Sequence, residues 1–198
     1  MPGRYYLTES LATLAEALEA SSQLVDPGPR PDAAPGEIAV VLVDQPRRLI
    51  EMRWNMIMSG RVNARGRPVM ETITNARSET LFEKSAFEGV RRAVLPVSGW
   101  YEWTGKKGRK SRWRMSPVNA ERFLFAAIWD VWAAPGGLEV LQMATVTVEP
   151  NADVAEYHHR MPAILNPENL YDWFSGGVDQ AKALLSPAEP GTVLVQSA

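Results

Sequence analysis

Apolar residues at Leu11, Leu14, Ala15 and Leu18 fall three or four apart after Thr8, which predicts a short amphipathic helix capped at that threonine. Farther along, the period shortens to two. Runs of strand length cover Ile38–Val43 and 49–54, with 44–47 as the turn between them. Stretches 92–103, 111–116, 123–133 and Leu138–Val148 read as successive antiparallel strands, and Pro135-Gly136-Gly137 marks a turn. Pro27, Pro29, Pro31 and Pro35 punctuate an extended loop, and 59–68 is a second loop, rich in Gly and Arg. Ser78-Glu79-Thr80 opens a short helix running to about Phe87, with Phe82 and Phe87 facing inward. The tail alternates a brief helix at 151–157, a strand at 163–165, helices at 167–174 and 179–185, and a closing strand at 192–196. Strands fill the middle and short helices the periphery. The expected class is α+β, a single domain (1–198) on a curved, largely antiparallel, barrel-like sheet.

Composition agrees with a folded chain: 198 residues, 45% hydrophobic, seven tryptophans. No run approaches the roughly 18 apolar residues of a membrane span, and no leader pattern opens the chain, so no membrane and a cytoplasmic location are expected. With no cysteine and only two histidines, side by side, disulfides are excluded and no metal site or cofactor is expected. Net charge is −2, but it is unevenly spread. Residues 47–114 hold 16 Lys/Arg against 6 Asp/Glu, a balance of +10, while the remainder holds 5 against 17. A basic face for a polyanion on an acidic body is one reading; a solvated hairpin at Lys106, Lys107, Arg109, Lys110, Arg112 and Arg114 is the other.

Three islands carry polar groups that an ordinary core would not choose: Thr74-Asn75-Ala76-Arg77-Ser78-Glu79-Thr80, Gly99-Trp100-Tyr101-Glu102-Trp103 and His158-His159-Arg160-Met161-Pro162. They supply an amide, a carboxylate and an imidazole among aromatic or apolar neighbours, where desolvation shifts pKa values. Such a set suits acid/base work on a carbonyl. Glu102, between Trp100 and Trp103 on a strand, shares a face with Trp100. The competing readings are a glutamate on a wet strand face and a surface histidine pair.

The islands, with Gly3-Arg4, Asp32-Ala33-Ala34-Pro35-Gly36 and Arg53-Trp54, resemble the SOS response-associated peptidase (SRAP) family, whose members capture abasic sites in single-stranded DNA. The resemblance covers most of the chain. It implies active-site roles for Asn75, Glu102 and His158, phosphate contacts for Arg4 and Arg77, and DNA contacts for Trp54, Arg160 and Pro35, the last lining the pocket. Three departures stand out. The family begins Met-Cys-Gly-Arg and bonds the aldehyde through the cysteine, whereas this chain reads Met1-Pro2-Gly3-Arg4. The aspartate after the active-site histidine is His159 here. Asn55-Met56-Ile57-Met58 replaces the family's Gly-Leu-Ile-Pro and second Trp, so Met56 and Met58 are expected to form an adaptable apolar wedge.

Proline at position 2 permits removal of Met1, which would free a secondary amine. That amine can form an iminium with an aldehyde but has no thiol to close a stable ring. The expectation is a protein that binds single-stranded or junction DNA and processes or shields abasic sites, with Pro2 as nucleophile. The alternatives are a scaffold member that has lost the chemistry, and a peptidase using Glu102 and His158.

Overall fold

The computed structural model describes residues 2–57, 64–66, 70–83, 87–134 and 136–198. A small barrel organises them. Strands β4 (Ile38–Val43), β5 (Arg48–Trp54), β9 (Arg91–Val97), β12 (Phe123–Ala134) and β13 (Leu138–Val148) neighbour one another in the order β13, β12, β9, β4, β5. A parallel pairing of β5 back onto β13, Arg53 opposite Gln142 and Trp54 opposite Met143, closes the ring. Closure removes the free sheet edge. Val41, Leu42, Val94, Phe125, Ala126 and Ala144 fill the interior at no more than 1% exposure.

β13 has room for more partners. Where β5 leaves it after Trp54, β8 (Asn75–Arg77) takes the same edge, Asn75 opposite Thr145. Asn55 turns away at a positive φ of 145°, yet its N–H still reaches the Met143 carbonyl at 2.9 Å. The excursion between them contributes a two-strand ribbon, β6 (Met56–Ile57) with β7 (Thr72–Ile73). β2 (Ser21–Ser22) extends β5; β14 (Met161–Pro162) and β15 (Ile164–Leu165) flank β13 and β12.

A second sheet lies beside the barrel, in the order β16 (Val193–Ser197), β11 (Arg109–Pro117), β10 (Gly99–Lys106), β1 (Arg4–Leu7), β3 (Arg30–Ala33). The chain crosses from one to the other at Ser98-Gly99, so the expected single strand 92–103 is two. Ser98 donates to the Tyr6 carbonyl at 2.9 Å. Gly99 is required there, since a Cβ would collide with the Met115 carbonyl oxygen and the Tyr6 hydroxyl.

Helices are short: α1 (Leu11–Ala17), α2 (Ser78–Leu81), α3 (Leu170–Ser175) and α4 (Val178–Ala183). α1 is capped by Ser10, whose Oγ accepts from the Thr13 N–H at 3.1 Å; Thr8, the expected cap, is held by Ser98 instead. The proline loop contains β3, because its backbone pairs with β1 despite the prolines. The expected helix at 151–157 is a series of turns, pinned by the Asn151 side chain accepting from Val154 N–H. Most of the predicted loop 59–68 lies outside the described residues. With those corrections the α+β class and the barrel-like, mainly antiparallel core stand.

Candidate active site

Register brings the start of the chain to Glu102. Arg4 pairs with Tyr101 and Tyr5 with Trp100 across β1 and β10, so the residues before Arg4 run toward Glu102. Alternation on β10 buries Trp100 and Glu102 on one face, at 0% and 3% exposure, which rules out the wet-face reading. Burial pushes the Glu102 carboxyl up to about 7; the chain's amino terminus and the Trp100 indole oppose that rise without cancelling it.

Asn75 meets the chain start from the other side. Its Nδ2 donates to the carbonyl of buried Pro2 at 3.3 Å, and its Oδ1 accepts a short hydrogen bond from Thr145 Oγ1. The fully buried Thr145 thereby fixes which way the amide points, a role that no sequence motif announces. Its only visible signal is the β8–β13 pairing.

His158 ends the 151–157 turns, its own N–H on the Val154 carbonyl at 3.0 Å. Its Nδ1 lies 3.0 Å from the Arg160 N–H and 3.1 Å from the Arg160 carbonyl oxygen, so the Arg160 backbone fixes the ring's position whichever nitrogen carries the proton. Burial first, then the amino-terminal charge, holds the imidazole down at about 4, so it is neutral at pH 7. His159 stacks on it, ring centroids 4.3 Å apart, but is itself exposed. Tyr157 packs edge-on against Trp113 at 4.8 Å, and Trp113 pairs with Glu102. The histidine turn and the glutamate strand are thus locked together. The same amino-terminal charge acts on both Glu102 and His158.

The sequence profile of the SOS response associated peptidase (SRAP) family matches residues 1–196. The chain belongs to this family. It is 27% identical over 198 residues to the abasic site processing protein YoqW of Bacillus subtilis, covering 94% of this chain and 87% of that one. Against the abasic site processing protein HMCES of Gallus gallus it is 30% identical over 170 residues, covering 72% of this chain and 51% of that one. A crystal structure of a Bacteroides thetaiotaomicron protein superposes with a TM-score of 0.85 at 20% identity, covering 98% of this chain and 91% of that one.

Measured against the SRAP expectations, the other residues divide. Arg77 is exposed at the head of α2. Arg4 is half-exposed and shares Asp32 with Arg112, at 3.4 and 3.0 Å. Pro35 sits half-buried in a turn tied to Trp54, where Gly36 N–H donates to the Trp54 carbonyl at 2.6 Å. Trp54, expected to touch DNA, is 1% exposed; it packs edge-on against Tyr5 at 5.3 Å and donates Nε1–H to the Thr74 carbonyl. Met56 is fully buried, so it cannot wedge between bases, and Met58 lies outside the described residues. Arg160 is also turned inward. Its two Nη groups grip Glu79 at 2.5 and 2.9 Å and one also reaches the Thr147 carbonyl, so a phosphate would have to displace Glu79. Arg160 braces the histidine turn against α2 and β13. Arg61 and Arg67 lie outside the described residues. Among those described, no helix is long and apolar enough to cross a membrane.

Proposed function

We propose that the protein binds single-stranded or junction DNA and processes abasic sites, using the Pro2 amine exposed on removal of Met1 in place of the family's cysteine. The observation that carries this reading is the convergence on the chain start of a buried carboxyl poised at about 7, a neutral imidazole and a fixed amide. Abasic-site processing is the activity named for its relatives YoqW and HMCES.

The chemistry follows from the groups. An abasic sugar is mostly a closed hemiacetal. The His158 ring, neutral at pH 7, assists the proton transfers that open it to the aldehyde. The secondary amine adds to C1′, giving a carbinolamine. Glu102, about half protonated near pH 7, gives its proton to the departing hydroxyl, which leaves as water, and an iminium forms. The resulting carboxylate is then placed to take a proton from C2′. The electron pair flows toward the iminium nitrogen and then expels the 3′ phosphate, cutting the strand. Water finally hydrolyses the new iminium and frees the amine. Asn75 positions residue 2 through its carbonyl. With no thiol to close a ring, the linkage is transient, so the site acts as a lyase more than as a shield.

The test combines intact mass with borohydride trapping. Protein lacking Met1, mixed with abasic single-stranded DNA and borohydride, should yield a reduced amine adduct; without reductant it should yield a cut strand. A chain that retains Met1 and forms no adduct under either condition would make this a DNA-binding scaffold instead.

A further inference from the structure

An arginine-lined cavity at the opposite end of the barrel takes no part in the chemistry above. It encloses about 390 Å³ among Val43, Asp44, Arg48, Arg91, Arg92 and Trp129. Arg48 opens β5 and Trp54 closes it six residues later, beside Thr74 and Asn75, so the two sites stand roughly 20 Å apart along the strand.

Charge in the cavity is one-sided. Three arginines line it with a single carboxylate, Asp44, which already pairs with Arg47 at 3.5 Å outside the lining. Arg91 is held with its guanidinium 4.8 Å above the Trp129 ring, a placement that orients it before any ligand arrives. Arg92 donates one Nη to the Gly176 carbonyl at 2.6 Å, while its other Nη is buried without an acceptor among the described residues. A buried charged donor left unmatched is costly, and a ligand oxygen would remove that cost. Arg48 is exposed at the rim.

We propose that this cavity binds a phosphate monoester. The forks of Arg48 and Arg91 with the unmatched Nη of Arg92, against one engaged acid, suit a dianion with three terminal oxygens better than a monovalent carboxylate. Phe174, which also lines the cavity, offers an apolar wall to the organic part of the ester, and the volume admits a phosphate with a small ring system. Two sources share this chemistry: a free mononucleotide and the 5′-phosphorylated end of a DNA strand.

Calorimetric titration separates them. The probes are inorganic phosphate, a 5′-mononucleotide, the matching nucleoside, and one short oligonucleotide with and without its 5′ phosphate. Phosphate-bearing probes should bind with sub-millimolar Kd, and the nucleoside should not. Arg48→Ala and Arg91→Ala, both at exposed positions, should each weaken binding about tenfold while leaving the ligand-free melting temperature and abasic adduct formation unchanged. Tighter binding of the mononucleotide assigns the site to free nucleotides; tighter binding of the phosphorylated strand assigns it to DNA ends. Equal affinity for the 5′-hydroxyl and 5′-phosphate strands would overturn the proposal in favour of a backbone track. Binding that the arginine substitutions leave unchanged would also overturn it.

Discussion

Glu102 and His158 give the protein opposed pH responses. The Glu102 carboxyl titrates at about 7 when folded, against an ordinary 4.5. Below 4.5 folded and unfolded chains are both protonated and burial carries no penalty. Between 4.5 and 7 the unfolded chain releases the proton first, so stability falls as pH rises, by about 3 kcal/mol once past 7. His158, held at about 4 against 6.5, favours unfolding as pH drops through that interval. Glu102→Gln should therefore stabilise the protein in urea melts at pH 8 and do nothing at pH 4; a loss of stability at pH 8 would contradict the buried carboxyl. The same substitution should slow strand cleavage at least tenfold, because general acid/base groups contribute about 10²–10⁴ in rate. His158→Ala should slow that step as well, and exposed His159→Ala should leave it near wild type. Asn75, Glu102 and His158 are candidates in the chain because each stands within a polar island that matches the family's pattern; the islands alone favour a surface histidine pair and a wet-face glutamate. The depths of Trp54, Met56 and Arg160 were not readable. Their surroundings depend on partners such as Tyr5, Ile73 and Glu79 that a linear pattern does not reveal.

At the scale of elements, the site is held by joints between short pieces. The turns before His158 touch the second sheet through Tyr157 and Trp113, and α2 through Arg160 and Glu79. Glu79 is half-exposed, and Arg160 holds its carboxyl below the usual range. Glu79→Gln leaves the buried guanidinium without its counter-charge and should cost about 1–2 kcal/mol. If the brace positions the histidine, cleavage should slow with DNA affinity unchanged; if affinity falls as much as rate, Arg160 is also a DNA contact. Periodicity located the barrel strands well, β4 and β13 to the residue, because their hydrophobic runs are long. It failed at 151–157, where side-chain hydrogen bonds from Asn151 support turns in place of a helix. It also failed at β3, which pairs with β1 although it contains Pro31.

For the whole molecule, the charge excess of 47–114 divides among partners. Arg47, Arg53 and Arg112 are engaged with Asp44, Gln142 and Asp32, whereas Lys106, Lys107, Arg109 and Lys110 project from the β10–β11 hairpin. Affinity for single-stranded DNA should fall with salt at about −0.7 in log–log slope per phosphate contacted, and Arg77→Ala should flatten the slope by about one contact. Binding indifferent to salt would remove the nucleic-acid reading. Geometrically, the shared edge of β13 works as a rail with two docking points. The chain steps off after Trp54 and steps back on at Asn75, so the amide's position is set by the rail and not by what lies between. The length of the intervening segment beyond the buried Met56 and Ile57 can therefore change, since lengthening a loop costs little.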